Sequence, residues 1–393
     1  MYDRAAPCHD SGDVNATIQA PSPSRLGSLD VFRGATIALM ILVNNPGEEE
    51  KTYGQLLHAK WHGWTLTDLV FPFFLFAVGM AIPYAFAGRL ARSGGDRGPL
   101  HRQIARRTAL LLGLGLLLNW FPFYTVDWST ARIPGILQRI ALAYCAAALA
   151  WLHLGKRSRA VLAVVLLAGY WLAMVLVPVP GHGAGDLSPQ GNLEGWIDHA
   201  VFGRHTWKLS PGPGDPEGLL STLPAIASAL AGLFAADWLR SPRSQGEKLR
   251  GLLLAGVVST VAGLVLGRWF PINKSLWTST YVVFTSGLAL LVLAAAYAVV
   301  DVMHHEQWGR PFMIFGTNAL AAFIGSVLMA KTLIRIHWQT PAGDVTLQSW
   351  LYRHLCASWL PAYVASLAWA LLFVAVWWGV TAVLYRRRIF IKI

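Results

Sequence analysis

The chain has 393 residues, 55% of them hydrophobic and only 13% charged, with a formal charge of +12 and a mean hydropathy of +0.46. Ordinary soluble domains carry about 25% charged residues, so a water-soluble fold is excluded. The basic excess is better placed in loops flanking membrane spans than on a nucleic-acid-binding face, so no nucleic-acid partner is expected.

Residues 1–28 are polar, rich in Pro, Ser and Asp, and lack the apolar core of a signal peptide; they are read as a disordered cytoplasmic tail. Continuous apolar blocks follow, each long enough for the roughly 20 residues of helix that cross a bilayer. They do not alternate, so they read as helices and not as barrel strands. Ten spans are expected, at about 29–46, 66–88, 105–122, 133–154, 159–178, 218–239, 249–270, 277–300, 311–330 and 362–385. The fold class is therefore an all-α polytopic membrane bundle of about ten transmembrane helices, covering 29–386 and followed by a basic tail over 387–393. Twenty-one of the 32 basic residues fall on the side of the two tails and ten on the opposite side, with Arg139 inside a span. The positive-inside rule then places both termini in the cytoplasm. The longer outer loops, 47–65, 179–217 and 331–361, hold most of the polar variety. No internal repeat is visible, which weighs against transporter folds built from two similar halves. Cys8, Cys145 and Cys356 show no paired spacing, so neither a disulfide framework nor a thiolate metal site is implied.

Ionisable residues inside a bilayer are costly and mark candidate sites. In the first span Asp30 and Arg33, at i,i+3, can pair on one face; they read either as a membrane-edge ion pair or as an anion site at the inner mouth. Asn44 lies eleven residues after Arg33, on nearly the same face and roughly 16 Å further along the helix. The outer loop then brings His58 and His62, four apart. Gly63 and the Trp residues spoil a regular helix there, and no Glu or Cys completes a ligand set, so no metal is expected. Thr65 and Asp68 form a capping-box-like start to the second span; Asp68 could equally orient a histidine. Further on come Gln138 and Arg139 in the fourth span, Asp215 and Glu217 before the sixth, and Asn273 and Lys274 after the seventh.

The string SLDVFRGATIALMILVNNPG, followed by LHAKWHGWTLTDLVFPFFLFAVGMAI, closely resembles the catalytic region of the heparan-α-glucosaminide N-acetyltransferase family and its bacterial members. PGILQRIALAY, DPEGLLSTLPAI, FPINKSLWTSTYVVFTSG and PFMIFGTNAL resemble further blocks in the same order, so the resemblance runs over about 25–385. It does not extend to the long lumenal region and leading helix of the animal enzyme. The resemblance implies transfer of acetyl from cytoplasmic acetyl-CoA, across the membrane, to the amine of a glucosamine-type sugar or oligosaccharide. For a bacterial member it implies a multi-pass protein of the cell inner membrane, with the lipid bilayer as its surroundings; a homodimer is left open. By motif match the catalytic histidine is His58, supported by Asn44 and Asp68, whereas His62 stands where the animal enzyme has Asn. Arg33, Gln138, Arg139, Asn273 and Lys274 are carried over as acetyl-CoA-binding or framework positions. Asp215, Glu217 and Trp64 are assigned to the acceptor.

His58 suits either of two routes: general base toward the acceptor amine, or nucleophile forming an acyl-imidazole. The first is preferred because no second general base is evident. Asn44 would meet the developing oxyanion and Asp68 would set the imidazole tautomer. An O-acetyltransferase of an envelope glycan and a sugar transporter are the alternatives.

Overall fold

A computed structural model describes residues 26–341 and 343–391. The expected polar tail up to residue 25, with Cys8, and the last two residues, with Lys392, lie outside the described residues.

The apolar blocks are helices, because hydrocarbon leaves backbone groups no other partner. In chain order these are α1 (Gly27–Asn44), α2 (Val70–Arg92), α3 (Gly98–Trp120), α4 (Ile136–His153) and α5 (Lys156–Leu176). After a small hairpin come α6 (Leu193–Phe202), α7 (Thr222–Leu239), α8 (Gln245–Leu266) and α9 (Ser279–Tyr297). The chain ends with α10 (Glu306–Thr317), α11 (Ala319–Arg335), a second hairpin, α12 (Leu347–Tyr352) and α13 (Ala362–Arg386). Among the described residues eight helices have the length and hydropathy of a membrane span, and α10–α11 taken as one bent span makes nine. The remaining expected span is α3, 23 residues long, or about 34 Å. Its first half carries His101, Arg102, Arg106 and Arg107, which lowers its mean hydropathy below that of the others.

Burial separates centre from rim. In α2, 78% of the spanning window is buried, against 17% in α5 and in α8. Thus α2, with α7, α4 and α1 around it, forms the core, and α5 and α8 present most of their surface to lipid. The α2–α7 seam shows how the core closes without polar groups. A Cβ added at Gly79 would lie 1.8 Å from the Ala229 carbonyl oxygen, and one at Gly232 would lie 1.9 Å from that of Phe76. Only glycine lets these backbones touch, the small-residue packing typical of membrane helices.

Three features depart from the sequence reading. The ninth span is broken: α10 and α11 meet at 67°. The break falls at Asn318, whose amide accepts from the Ile391 N–H (2.9 Å) and donates to the Ile389 carbonyl (3.1 Å). The segment expected to be a free basic tail is therefore pinned to the break over its described part. The outer loops are also structured, with two hairpins, Pro178–Val179 with Gly183–Ala184 and His337–Thr340 with Gly343–Thr346. Helix α6 sits between them, capped by the Asn192 side chain, which accepts from the Gly195 N–H at 2.7 Å. Finally, α1 begins at Gly27, inside the expected tail.

The seam yields a direct check. Gly79→Ala should lower stability by about 1–3 kcal/mol, the usual cost of overfilling a packed core, seen as a lower thermal-unfolding midpoint in detergent. Gly88→Ala, on the same helix with open space around it, should leave the midpoint unchanged or slightly raised.

Candidate active site

The loop leaving α1 returns to the membrane through a tight turn, Thr67–Leu69, that leads into α2. Asp68 sits in this turn with its side chain almost wholly buried (1% exposed). One carboxylate oxygen accepts the backbone N–H groups of Ala59 (3.1 Å) and Thr65 (3.0 Å) and lies 3.0 Å from the Thr65 hydroxyl. The other meets His58 Nδ1 at 2.6 Å. The Tyr281 hydroxyl donates to the Asp68 carbonyl from α9. Asp68 is thus both the cap of the turn and the partner of the imidazole. Because the carboxylate only accepts, the proton of a neutral His58 belongs on Nδ1, leaving the Nε2 lone pair for chemistry.

His58 borders a cavity of about 60 Å³ with Asn44, Glu217 and Lys274, walled by Met40, Val70, Phe71, Phe74, Ile140 and Phe323. Neither the Asn44 amide nor the Lys274 ammonium hydrogen-bonds to protein among the described residues, so both donors face the cavity uncommitted. Lys274 is brought there by a turn that Asn273 builds: its carbonyl oxygen and amide oxygen accept from the N–H groups of Thr278 (3.1 Å) and Leu276 (2.9 Å). The turn needs φ of +49° at Trp277, which is fully buried. A bulky residue rarely adopts that conformation, and such strain gathers at functional sites. The Trp277 ring holds it there, packed on Phe71 and Tyr281 at 4.9 and 5.3 Å between centroids.

Glu217 belongs to a buried charge network. Arg132 grips Asp215 with two bonds, 2.8 and 2.6 Å, and also donates to Glu217. Burial works to raise the Glu217 carboxyl, but Arg132 first, then Lys274, outweigh it and hold the group below its usual range. Asp215 accepts additionally from the backbone of Trp207 and Glu217 (2.8 and 3.0 Å) and lines neither the His58 cavity nor the neighbouring groove. Arg139, wholly buried, donates to the Gly218 carbonyl (3.1 Å) and to Ser221 and lies 5.0 Å over Trp277. Ser221 in turn donates to Glu194 at 2.8 Å. Burial, and after it the Asp198 carboxylate, push Glu194 well above the carboxylate range.

The other expected residues are spread more widely. Arg33 pairs with Asp30 at 2.6 Å at the far end of α1, and the stripe between Arg33 and Asn44 is filled by Ile37 and Met40, 0% and 7% exposed. Gln138 donates to the Ile133 carbonyl (2.9 Å) and faces a separate outer groove. Trp64 stacks near Phe284, 4.8 Å between centroids, and lines neither cavity nor groove. His62 turns toward Asn273, 3.3 Å from its amide nitrogen; burial pushes its imidazole below the ordinary value. The two histidines therefore do not converge. The outer groove, about 730 Å³, runs past Trp120, Trp207, Lys208 and Arg335 and shares Asn44, Ile136 and Phe323 with the His58 cavity. Sequence reasoning missed the structural roles of Arg132, Glu194 and Trp277. Only the acidic pair at Asp215 and Glu217, which needs cations once buried, hinted at the first.

A profile of the family described as "Heparan-alpha-glucosaminide N-acetyltransferase, catalytic" matches residues 25–269. The human and mouse proteins named heparan-alpha-glucosaminide N-acetyltransferase are 29% and 28% identical to this chain, over 94% and 98% of its length. The chain spans about 60% of the length of these relatives. Asn273 and Lys274 lie just beyond the profile match.

The geometry separates the two histidines experimentally. In acetyl-transfer assays His58→Ala should lose on the order of 10²–10⁴-fold in kcat, and Asp68→Asn should approach that loss. His62→Asn should stay near wild type. Equal losses at His58 and His62 would mean that this loop acts by another chemistry.

Proposed function

The chain belongs to the heparan-alpha-glucosaminide N-acetyltransferase family, and from that premise we propose that it transfers acetyl from acetyl-CoA to the amine of a glucosamine-type sugar held on the outer side of the membrane. The observation that carries this reading is the shared wall. The His58 cavity and the outer groove meet at Asn44, Ile136 and Phe323, so an acceptor in the groove can present its amine beside His58.

The residues fit the acyl end of the co-substrate. The cavity is small and apolar, with two uncommitted donors, Asn44 and Lys274, and a lone pair at His58 Nε2. When bound, acetyl-CoA supplies an acetyl carbon that exchanges its C–S bond for the C–N bond of the acceptor. His58 Nε2 accepts the proton that the amine sheds, while Asp68 keeps Nδ1–H in place and faces the imidazolium so formed. The Asn44 amide and Lys274 ammonium stabilise negative charge on the carbonyl oxygen. The ionised Glu217 orients the acceptor through its amino or hydroxyl groups. Because the donor cavity and the acceptor groove lie against the same three side chains, an acetyl group and an amine bound in them would be neighbours, which favours direct transfer over a histidine-borne acetyl.

The distribution of basic residues supports cytoplasmic termini, and the family resemblance implies a donor taken from the cytoplasm and a place in a cell inner membrane. Arg33 at the inner end of α1 is suited to a phosphate of the co-substrate. Ile37 and Met40, which fill the stripe above it, would have to shift to admit the pantetheine arm.

Purified full-length protein with labelled acetyl-CoA should acetylate glucosamine and leave glucose and N-acetylglucosamine unlabelled. Asn44→Ala should lower kcat by about 10²–10³-fold, as loss of an oxyanion donor does, with donor KM little changed. Labelling of hydroxyl-only sugars would show an O-acetyltransferase, and uptake without acetylation would show a transporter.

A further inference from the structure

At the end of the bundle opposite His58, a groove of about 800 Å³ lies between the first turns of α10 and the last turns of α13. Three guanidinium groups, Arg310, Arg386 and Arg388, stand along it. None has a hydrogen bond or an ion pair to protein among the described residues. Apart from Gln307, the rest of the wall is apolar or aromatic, with Ile314, Ala382, Phe390 and Trp378, whose indole N–H is spent on the Pro311 carbonyl at 3.2 Å. The nearest acids do not neutralise the cluster. Asp301 and Glu306 border a separate hollow beyond Tyr385, and Asp301 accepts from the N–H groups of Gly27 and Ser28 (3.3 and 3.0 Å).

We propose that this groove binds the headgroup phosphate of an anionic phospholipid, with its acyl chains lying along α13. Three free guanidinium forks on one side match a phosphodiester, which arginine binds bidentately. The apolar side faces the bilayer: only 28% of the α13 window is buried, and Trp378 and Phe390 are 38% and 40% exposed. Basic pockets between helices at a membrane–water interface are a recurrent headgroup site. The phosphates of acetyl-CoA are the less suitable occupant, since the groove shares no lining residue with the His58 cavity or the outer groove. A phosphate here would also bridge α10 to the end of α13, next to the segment pinned by Asn318. It would thereby brace the bent α10–α11 unit that carries Phe323 to the catalytic cavity.

The test is a titration of delipidated full-length protein, by native mass spectrometry, with dioleoyl phosphatidylglycerol and with dioleoyl phosphatidylcholine. Phosphatidylglycerol should bind in clear preference. Arg310→Gln, Arg386→Gln and Arg388→Gln should each weaken it about fivefold, and the triple variant roughly a hundredfold. The single variants keep the test decisive if the triple variant fails to fold. Equal binding of the two lipids by the wild type would overturn the proposal, as would wild-type phosphatidylglycerol affinity in the variants. Displacement of the lipid by acetyl-CoA would overturn it too, by assigning the cluster to the co-substrate.

Discussion

The carboxylate of Asp68 is the point on which the outer half of the molecule turns. An ionised group buried this deeply is tolerated only when its acceptor sites are filled, and three donors converge on it: the backbone N–H groups of Ala59 and Thr65 and the His58 imidazole. Each is therefore obligatory and not incidental. One residue thus closes the loop from 57 to 65 into a single conformation, starts α2, and fixes which nitrogen of His58 faces the cavity. A loop rich in Gly, Trp and His would otherwise have no reason to hold an imidazole within tenths of an ångström of a working position.

The opposite wall is held by different means. Arg132 and Arg139 bind the segment before α7 to the outer loop and to α4, and Ser221 links Arg139 to Glu194. Trp277, locked in an unfavourable backbone conformation by ring packing, turns Lys274 inward. The cavity is thus a meeting of two rigid frames, one anchored in α2 and the other in the turn before α9. It shares Asn44 with the neighbouring groove. The proposed mechanism needs both frames, since a base without a fixed acyl carbon, or the reverse, would lose the benefit of proximity.

The bundle was legible in the sequence because continuous apolar blocks leave helices as the only economical answer in lipid. The His58–Asp68 pair was also within reach, since the capping pattern at Thr65 and Asp68 and the family-like strings both pointed to it. Other features could not be read. The bond from Arg132 to Asp215 joins positions 83 residues apart, and no local pattern encodes it. The break at Asn318 follows Gly316 by two residues, but one glycine in an apolar run is common inside membrane helices; the amide that also pins the described end of α13's following segment is a long-range contact that no local pattern encodes. Asp215 looked like an acceptor ligand because an acid in an outer loop is normally free, yet the structure surrounds it with donors. Arg33 and Asn44 share a helical stripe, as their spacing requires, but periodicity says nothing about whether the space along the stripe is filled.

The proposed mechanism makes His58 a base and not an acetyl carrier, and this can be measured without varying any residue. Full-length protein is mixed with acetyl-labelled acetyl-CoA in the absence of acceptor, quenched within the time of one turnover, and both free CoA and protein-bound label are counted. Direct transfer predicts neither until glucosamine is added, when CoA and acetylated sugar appear together in equal amounts. A burst of CoA with label on His58 before any acceptor is present would contradict the account.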